Sequence, residues 1–133
     1  SGIIATAALP SDVKRWILLL VPKSKGYKIT AIPDTTVSWG SYSLYNFSGA
    51  PIKVELGKTT KVIDKNRHAL FKSANKSQWV KITGIVKSKP RILRQTKWRL
   101  DANQREFVIY FRQANETVGA RHILDHKPDK VEE

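Results

Sequence analysis

The feature that most limits what this chain can fold into is a period of two. Short runs rich in Val, Ile, Tyr, Phe, Trp and Thr recur between Gly, Pro, Asn and Asp, and no segment sustains a 3.6-residue apolar period. Successive side chains of a strand point to opposite faces, so such runs pair into sheets, whereas a helix needs its apolar residues three and four apart. Ile52, Val54 and Leu56 alternate with Lys53, Glu55 and Gly57, giving one apolar and one polar face. Tyr42, Leu44 and Asn46 oppose Ser43, Tyr45 and Phe47 in the same way, and Val80, Ile82, Gly84 and Val86 oppose Trp79, Lys81, Thr83 and Ile85. Residues 16–21 (WILLLV) are continuously apolar up to Pro22, which reads as a strand covered on both faces and hairpinned through the turn 23–26 to the run 27–32.

Further runs lie at 59–63 and 69–71, another falls within 87–99, and a last hairpin joins 107–111 to 118–124. Pro90 cannot donate to a ladder, so its run either belongs at a sheet edge or starts late. The expectation is an all-β fold, a single-domain antiparallel β-sandwich, immunoglobulin-like or related, of about eight or nine strands. The sandwich is assigned to residues 14–125, with 1–13 an N-terminal segment of tag or linker character and 126–133 a polar tail. A chain of 133 residues can bury a core of this kind without staples, and with no cysteine it has no disulfide to supply one. No apolar run approaches the length of a membrane-spanning helix.

Charge is the outlying property. Lys and Arg number 24 against 11 Asp and Glu, a formal net charge of +13, which favours polyanionic partners: an anionic surface, nucleic acid or an acidic protein. The density peaks at 87–99, KSKPRILRQTKWR, which contains no acid. With a period of two, Lys87, Lys89, Arg91, Lys97 and Arg99 share one parity, while Ile92, Trp98 and Leu100 share the other with Arg94. The result is a basic ladder on one side of a strand. The candidate polyanion site is therefore Lys87, Lys89, Arg91, Arg94, Lys97, Arg99 and Arg112, with Lys53, Lys58 and Lys61 as extensions. The competing reading is the solvated side of an edge strand, where lysines discourage strand addition.

The remaining chemistry-bearing residues carry less. Trp16, Trp79, Trp98, Phe107, Tyr110 and Phe111 lie in β runs and are expected in the core, whereas Trp39 beside Gly40 is expected to cap the sandwich. His122 and His126 stand four apart, which would serve a metal only on a helix, and their region reads as strand and tail. Asp101, Glu106 and Asp125 have neighbouring arginines as ordinary partners, with Arg105 expected to pair with Asp101. Sequons begin at Asn46, Asn75 and Asn115. Neither a nucleophile elbow nor a phosphate-binding glycine loop is present, so no catalytic residue, metal or cofactor is assigned and the chain is read as non-enzymatic.

With the strands placed, GSYSLYNFS at 40–48, PIKV at 51–54, KWRLD at 97–101 followed by Arg105 to Phe111, and ILD at 123–125 form a pattern. It resembles a family of small uncharacterised, predicted exported bacterial β-sandwich proteins with a G-x-Y-x-x-x-N strand, a Trp followed by Asp and Arg, and a closing I-x-D. The resemblance spans roughly 14–125 and implies a periplasmic or secreted location and no established activity. It carries no catalytic residue across. The expected function is a non-enzymatic binding or structural module at an anionic or protein surface, with a nucleic-acid-binding β domain using 87–99 as the alternative.

Overall fold

The computed structural model describes residues 5–9, 11, 15–22, 25–33, 37–74 and 76–129. Every described element is a strand: β1 (Trp16–Pro22), β2 (Tyr27–Pro33), β3 (Ser41–Phe47), β4 (Ile52–Leu56), β5 (Thr59–Ile63), β6 (Arg67–Lys72), β7 (Gln78–Val86), β8 (Lys89–Trp98), β9 (Gln104–Arg112) and β10 (Val118–His126). The all-β expectation holds. The chain divides into two compact units, Ser1–Thr36 and Val37–Glu133, rather than one sandwich over 14–125. In the first unit, among the described residues, β1 and β2 pair only with each other, from Trp16 opposite Pro33 to Pro22 opposite Tyr27. A two-stranded ribbon has no flanking strands, and Leu18 and Leu20 of β1 are half exposed while Leu19 is buried, so β1 is not covered on both faces. Positions 23 and 24 of the expected turn, and 130–133 of the expected tail, lie outside the described residues.

The second unit is a sandwich of two four-stranded sheets, ordered β10-β9-β3-β6 and β5-β4-β7-β8. Its core joins inward residues of both: Tyr42, Leu44, Phe71, Val108 and Tyr110 from the first, and Ile52, Val54, Leu56, Ile63, Val80 and Ile82 from the second. These are the apolar parities read from the sequence. One pairing departs from the antiparallel expectation, since β3 and β9 run parallel, Tyr42 opposite Glu106 through Phe47 opposite Phe111. No hairpin links them, so their direction is free to follow the crossings between sheets. Tight turns at the ends include Gly40, at φ 80°, whose N–H donates to the Gln104 carbonyl at 2.6 Å.

Two polar clusters fix the frame. Asn46 is fully buried where β3 ends. Its amide nitrogen donates to the carbonyls of Ala50 (2.8 Å) and Ile63 (2.9 Å), and its oxygen accepts from Ser48 N–H (3.0 Å) and Ser48 Oγ (2.6 Å), tying one sheet to the last residue of β5 in the other. Arg105, also buried, donates from Nε to Asp125 Oδ2 at 2.8 Å and from a terminal nitrogen to the Val37 carbonyl at 3.1 Å. The expected partner Asp101 instead faces Arg99 at 3.7 Å. Cross-strand register decides this, because Asp125 stands directly opposite Arg105 on β10. Trp39 lies against the Arg105 guanidinium at 4.4 Å, half-buried at the end of the sandwich, the capping position expected of it.

Candidate anion-binding face

Strand β8 does not present the basic ladder. Arg94 pairs with Ile82 and Ile92 with Thr83, which leaves Leu93 as an extra residue without a partner. A bulge of one residue reverses the facing of everything beyond it. Its local cause is Gly84: Leu93 Cδ1 occupies the space where a Cβ at Gly84 would come within 2.7 Å, so the missing side chain opens a hole that Leu93 fills. Arg94 and Trp98 consequently share the inward face with Ile82 and Val80, and Lys97 looks outward. On the other side of the bulge Ile92 turns outward, while Arg91 and Lys89 stand opposite the inward-facing Gly84 and Val86.

The seven sequence-predicted residues thus disperse. Lys87 and Ser88, at φ 51° and 64°, form the β7–β8 turn, and Lys89 and Arg91 follow it on the inward side, exposed at the sandwich rim. Arg94 points across the gap toward Tyr110 of the other sheet, whose hydroxyl pKa it lowers against a larger upward push from burial. Arg99 lies beyond the end of β8 beside Asp101, and Arg112, in the opposite sheet, donates to the Ser48 carbonyl at 3.1 Å. Only Lys97 joins a cationic face. Of the extensions, Lys53 does too, and Lys58 sits in the β4–β5 turn; Lys61 instead bridges the sheets, donating to the Leu70 carbonyl at 2.5 Å and lying over Phe71 at 4.9 Å.

That face is the outward side of β5-β4-β7-β8, and the register lays it out in rows. Trp79 stands opposite Lys97, Lys81 lies between Glu55 and Gln95, and Thr83 between Lys53 and Ile92, with Val62 beyond Lys53. Lys97, Lys81 and Lys53 therefore form a diagonal, each one strand over and one row along from the last, about 8 Å apart at their Cα positions given ordinary strand and residue spacings. Lys97 Nζ caps the Trp79 ring at 5.0 Å. The single acid of these rows, Glu55, lies 3.8 Å from Lys53, both side chains partly exposed, a pairing of small energetic weight. Among these cations three large apolar residues are exposed: Val62 at 64%, Trp79 at 62% and Ile92 at 55%. Sequence reasoning placed Trp79 and Ile92 in the core; for Trp79 the signal was present in its shared parity with Lys81 and Thr83, which outweighs the general tendency of large rings to be buried.

On the outward face of the other sheet Tyr45, Phe107 and Ile109 are buried, with Tyr45 stacked on His68 at 5.0 Å and on Phe47 at 6.2 Å, while Leu70 and Ile123 are exposed on its outer strands. Between β8 and β10 the sandwich opens into a cleft of about 260 Å³ lined by Leu93, Arg94, Tyr110, Val118, Ala120 and His122. Its histidine has ordinary partners: His122 Nδ1 contacts Glu106 Oε1 at 2.6 Å and its ring meets the Trp98 ring edge-on at 5.4 Å. Glu106 also raises the Tyr42 hydroxyl pKa; burial is the larger cause, and together they push it up to about 12 against a smaller opposing effect of Ser73. Ser73 is near enough for that effect without completing a well-formed hydrogen bond to the Tyr42 oxygen.

His122 and His126 both lie on β10, where four residues span about 13 Å of strand, too far for one ion. Among the described residues no group of three or more His, Cys, Asp or Glu is arranged to hold a metal, and no helix is long and apolar enough to cross a membrane. Of the sequons, Asn46 is buried and committed to the frame, Asn115 is exposed in the β9–β10 turn, and Asn75 lies outside the described residues. The sequence matches no protein-family model and no curated protein.

Proposed function

We propose that this protein is a non-enzymatic β-sandwich binding module that engages an anionic surface through the outward face of β5-β4-β7-β8. One observation carries the reading: Lys53, Lys81 and Lys97 share that open face with exposed Trp79, Val62 and Ile92. Charge supplies attraction and orientation, and exposed apolar groups supply the short-range contact that charge alone lacks. The exported setting belongs to the proposal on the strength of the family resemblance alone. A single-stranded nucleic acid is the second reading, favoured by Trp79 as a stacking platform flanked by lysines.

Two triple variants of equal charge change test the face. Lys53→Glu/Lys81→Glu/Lys97→Glu alters the proposed surface, and Lys87→Glu/Lys89→Glu/Arg91→Glu alters the β7–β8 tip. Binding to a soluble sulfated polysaccharide is followed by fluorescence anisotropy at about 50 and 200 mM salt, a range over which multi-site polyanion contacts weaken strongly. Binding should be salt-sensitive, largely lost in the first variant and mostly retained in the second. Equal losses would mean that net charge alone attracts the polyanion, and absence of binding at low salt would overturn the proposal.

A further inference from the structure

We infer that the anionic surface is a phospholipid bilayer, on which the protein lies with the outward face of β5-β4-β7-β8 against the headgroups. The inference rests on the proposed function and names its ligand. Three observations favour lipid over nucleic acid. Val62 and Ile92 are aliphatic and offer no π face to a base, yet they are as exposed as Trp79 and stand in one row with Lys53 and Thr83 between them. Near the same end of the sheet, Ile85 and Pro90 with Pro51 continue the apolar surface around a shallow hollow of about 180 Å³. Finally, the cations are all lysines, whose long apolar stems can lie along the acyl boundary while the ammonium reaches a phosphate.

The arrangement matches what an interface demands of a peripheral protein. Apolar side chains enter the headgroup and acyl boundary, tryptophan settles at that depth through its amphipathic ring, and lysines face the negative potential of the lipid surface. Neither part suffices: the patch is small for anchoring by apolar contact, and three lysines near an anionic membrane contribute about fivefold each to partitioning. Binding should therefore require both anionic lipid and the apolar trio. Nucleic acid and soluble polysaccharide would need the lysines, with Trp79 at most, and would be indifferent to Val62 and Ile92.

The test is vesicle co-sedimentation of the full chain with phosphatidylcholine alone and with phosphatidylcholine containing phosphatidylglycerol. Wild type is compared with Val62→Ser/Ile92→Ser and Trp79→Phe, all three sites being exposed and their folding checked by thermal melting. The expected result is binding to the mixed vesicles only, a loss of about tenfold or more in Val62→Ser/Ile92→Ser with polysaccharide binding unchanged, and a blue shift of tryptophan emission that is absent in Trp79→Phe. If polysaccharide binds but vesicles do not, or if Val62→Ser/Ile92→Ser binds vesicles like wild type, the lipid inference falls and the anionic-surface reading stands. Tighter binding of a single-stranded oligonucleotide that depends on Trp79 but not on Val62 and Ile92 overturns it in favour of nucleic acid. If nothing anionic is bound, both fall.

Discussion

Replacing Asn46 by alanine removes the polar clamp between the sheets, and the cost can be worked bond by bond. Four hydrogen bonds disappear, to the carbonyls of Ala50 and Ile63 and from the N–H and Oγ of Ser48. Two of those partners have an alternative, because Ser48 Oγ also lies 3.0 Å from the Ala50 carbonyl and its one proton can turn there once Asn46 Oδ1 is gone. Ile63 O and Ser48 N–H lose the bond that Asn46 provides, in a site with no exposed surface on Asn46 itself. A buried polar group stripped of its partner costs about 1–3 kcal/mol, so the two left by Asn46→Ala should destabilise the sandwich by about 2–6 kcal/mol. For a unit of this size about 3 kcal/mol lowers Tm by roughly 10–20 °C. Urea unfolding followed by tryptophan fluorescence and far-UV circular dichroism measures it.

Asn46→Asp is the sharper companion. It keeps the shape but turns a carboxylate oxygen toward the carbonyls of Ala50 and Ile63, where the amide donated. Burial and facing oxygens raise that carboxyl's pKa in the folded state above its unfolded value of about 3.9. The folded variant then binds the extra proton, so its deficit against wild type is full at neutral pH and shrinks as pH falls through the raised pKa. A loss below about 1 kcal/mol for Asn46→Ala, or an Asn46→Asp deficit that does not narrow on acidification, would refute the account.

Three further outcomes follow from the geometry. Leu93→Ala should cost about 1–2 kcal/mol in chemical denaturation, and Ile92→Ala within about 0.5 kcal/mol, since Leu93 packs on the core and Ile92 is exposed; the reverse order would remove the bulge as the explanation of β8. Arg105→Ala should cost about 2–3 kcal/mol, less than a fully buried pair because the abandoned Asp125 is partly exposed and can hydrate, and a melting curve like that of wild type would contradict the role given to it. Tyr42 holds its proton up to about 12 in the folded state against 10 in the unfolded state, so its contribution to stability is full below pH 10 and falls by about 3 kcal/mol between pH 10 and 12; burial raises Tyr45 and Tyr110 as well, so Tyr42→Phe should lessen the alkaline slope without abolishing it, and an unchanged slope would exclude Tyr42 as a source.

Much of this was legible in the chain itself. The period of two fixes which residues of β3, β4 and β7 face the core, because hydrophobic burial rewards one parity and a strand allows only two. It also offered a sheet edge as one of two places for the Pro90 run, which is where β8 lies, and it put Lys53 and Lys81 on polar parities. What it could not show is how one strand responds to its neighbour. Whether 87–99 is a one-sided ladder depends on Gly84, a residue of the adjacent strand, whose missing side chain admits Leu93 and so sends Lys97 outward and Arg91 inward. Arg105 likewise has Asp101 four residues away in sequence but Asp125 directly across the sheet. Local periodicity is a property of one strand and is written in its residues; register, bulges and which outward sheet face stays open are set by close packing between strands distant in sequence, which only the tertiary structure decides.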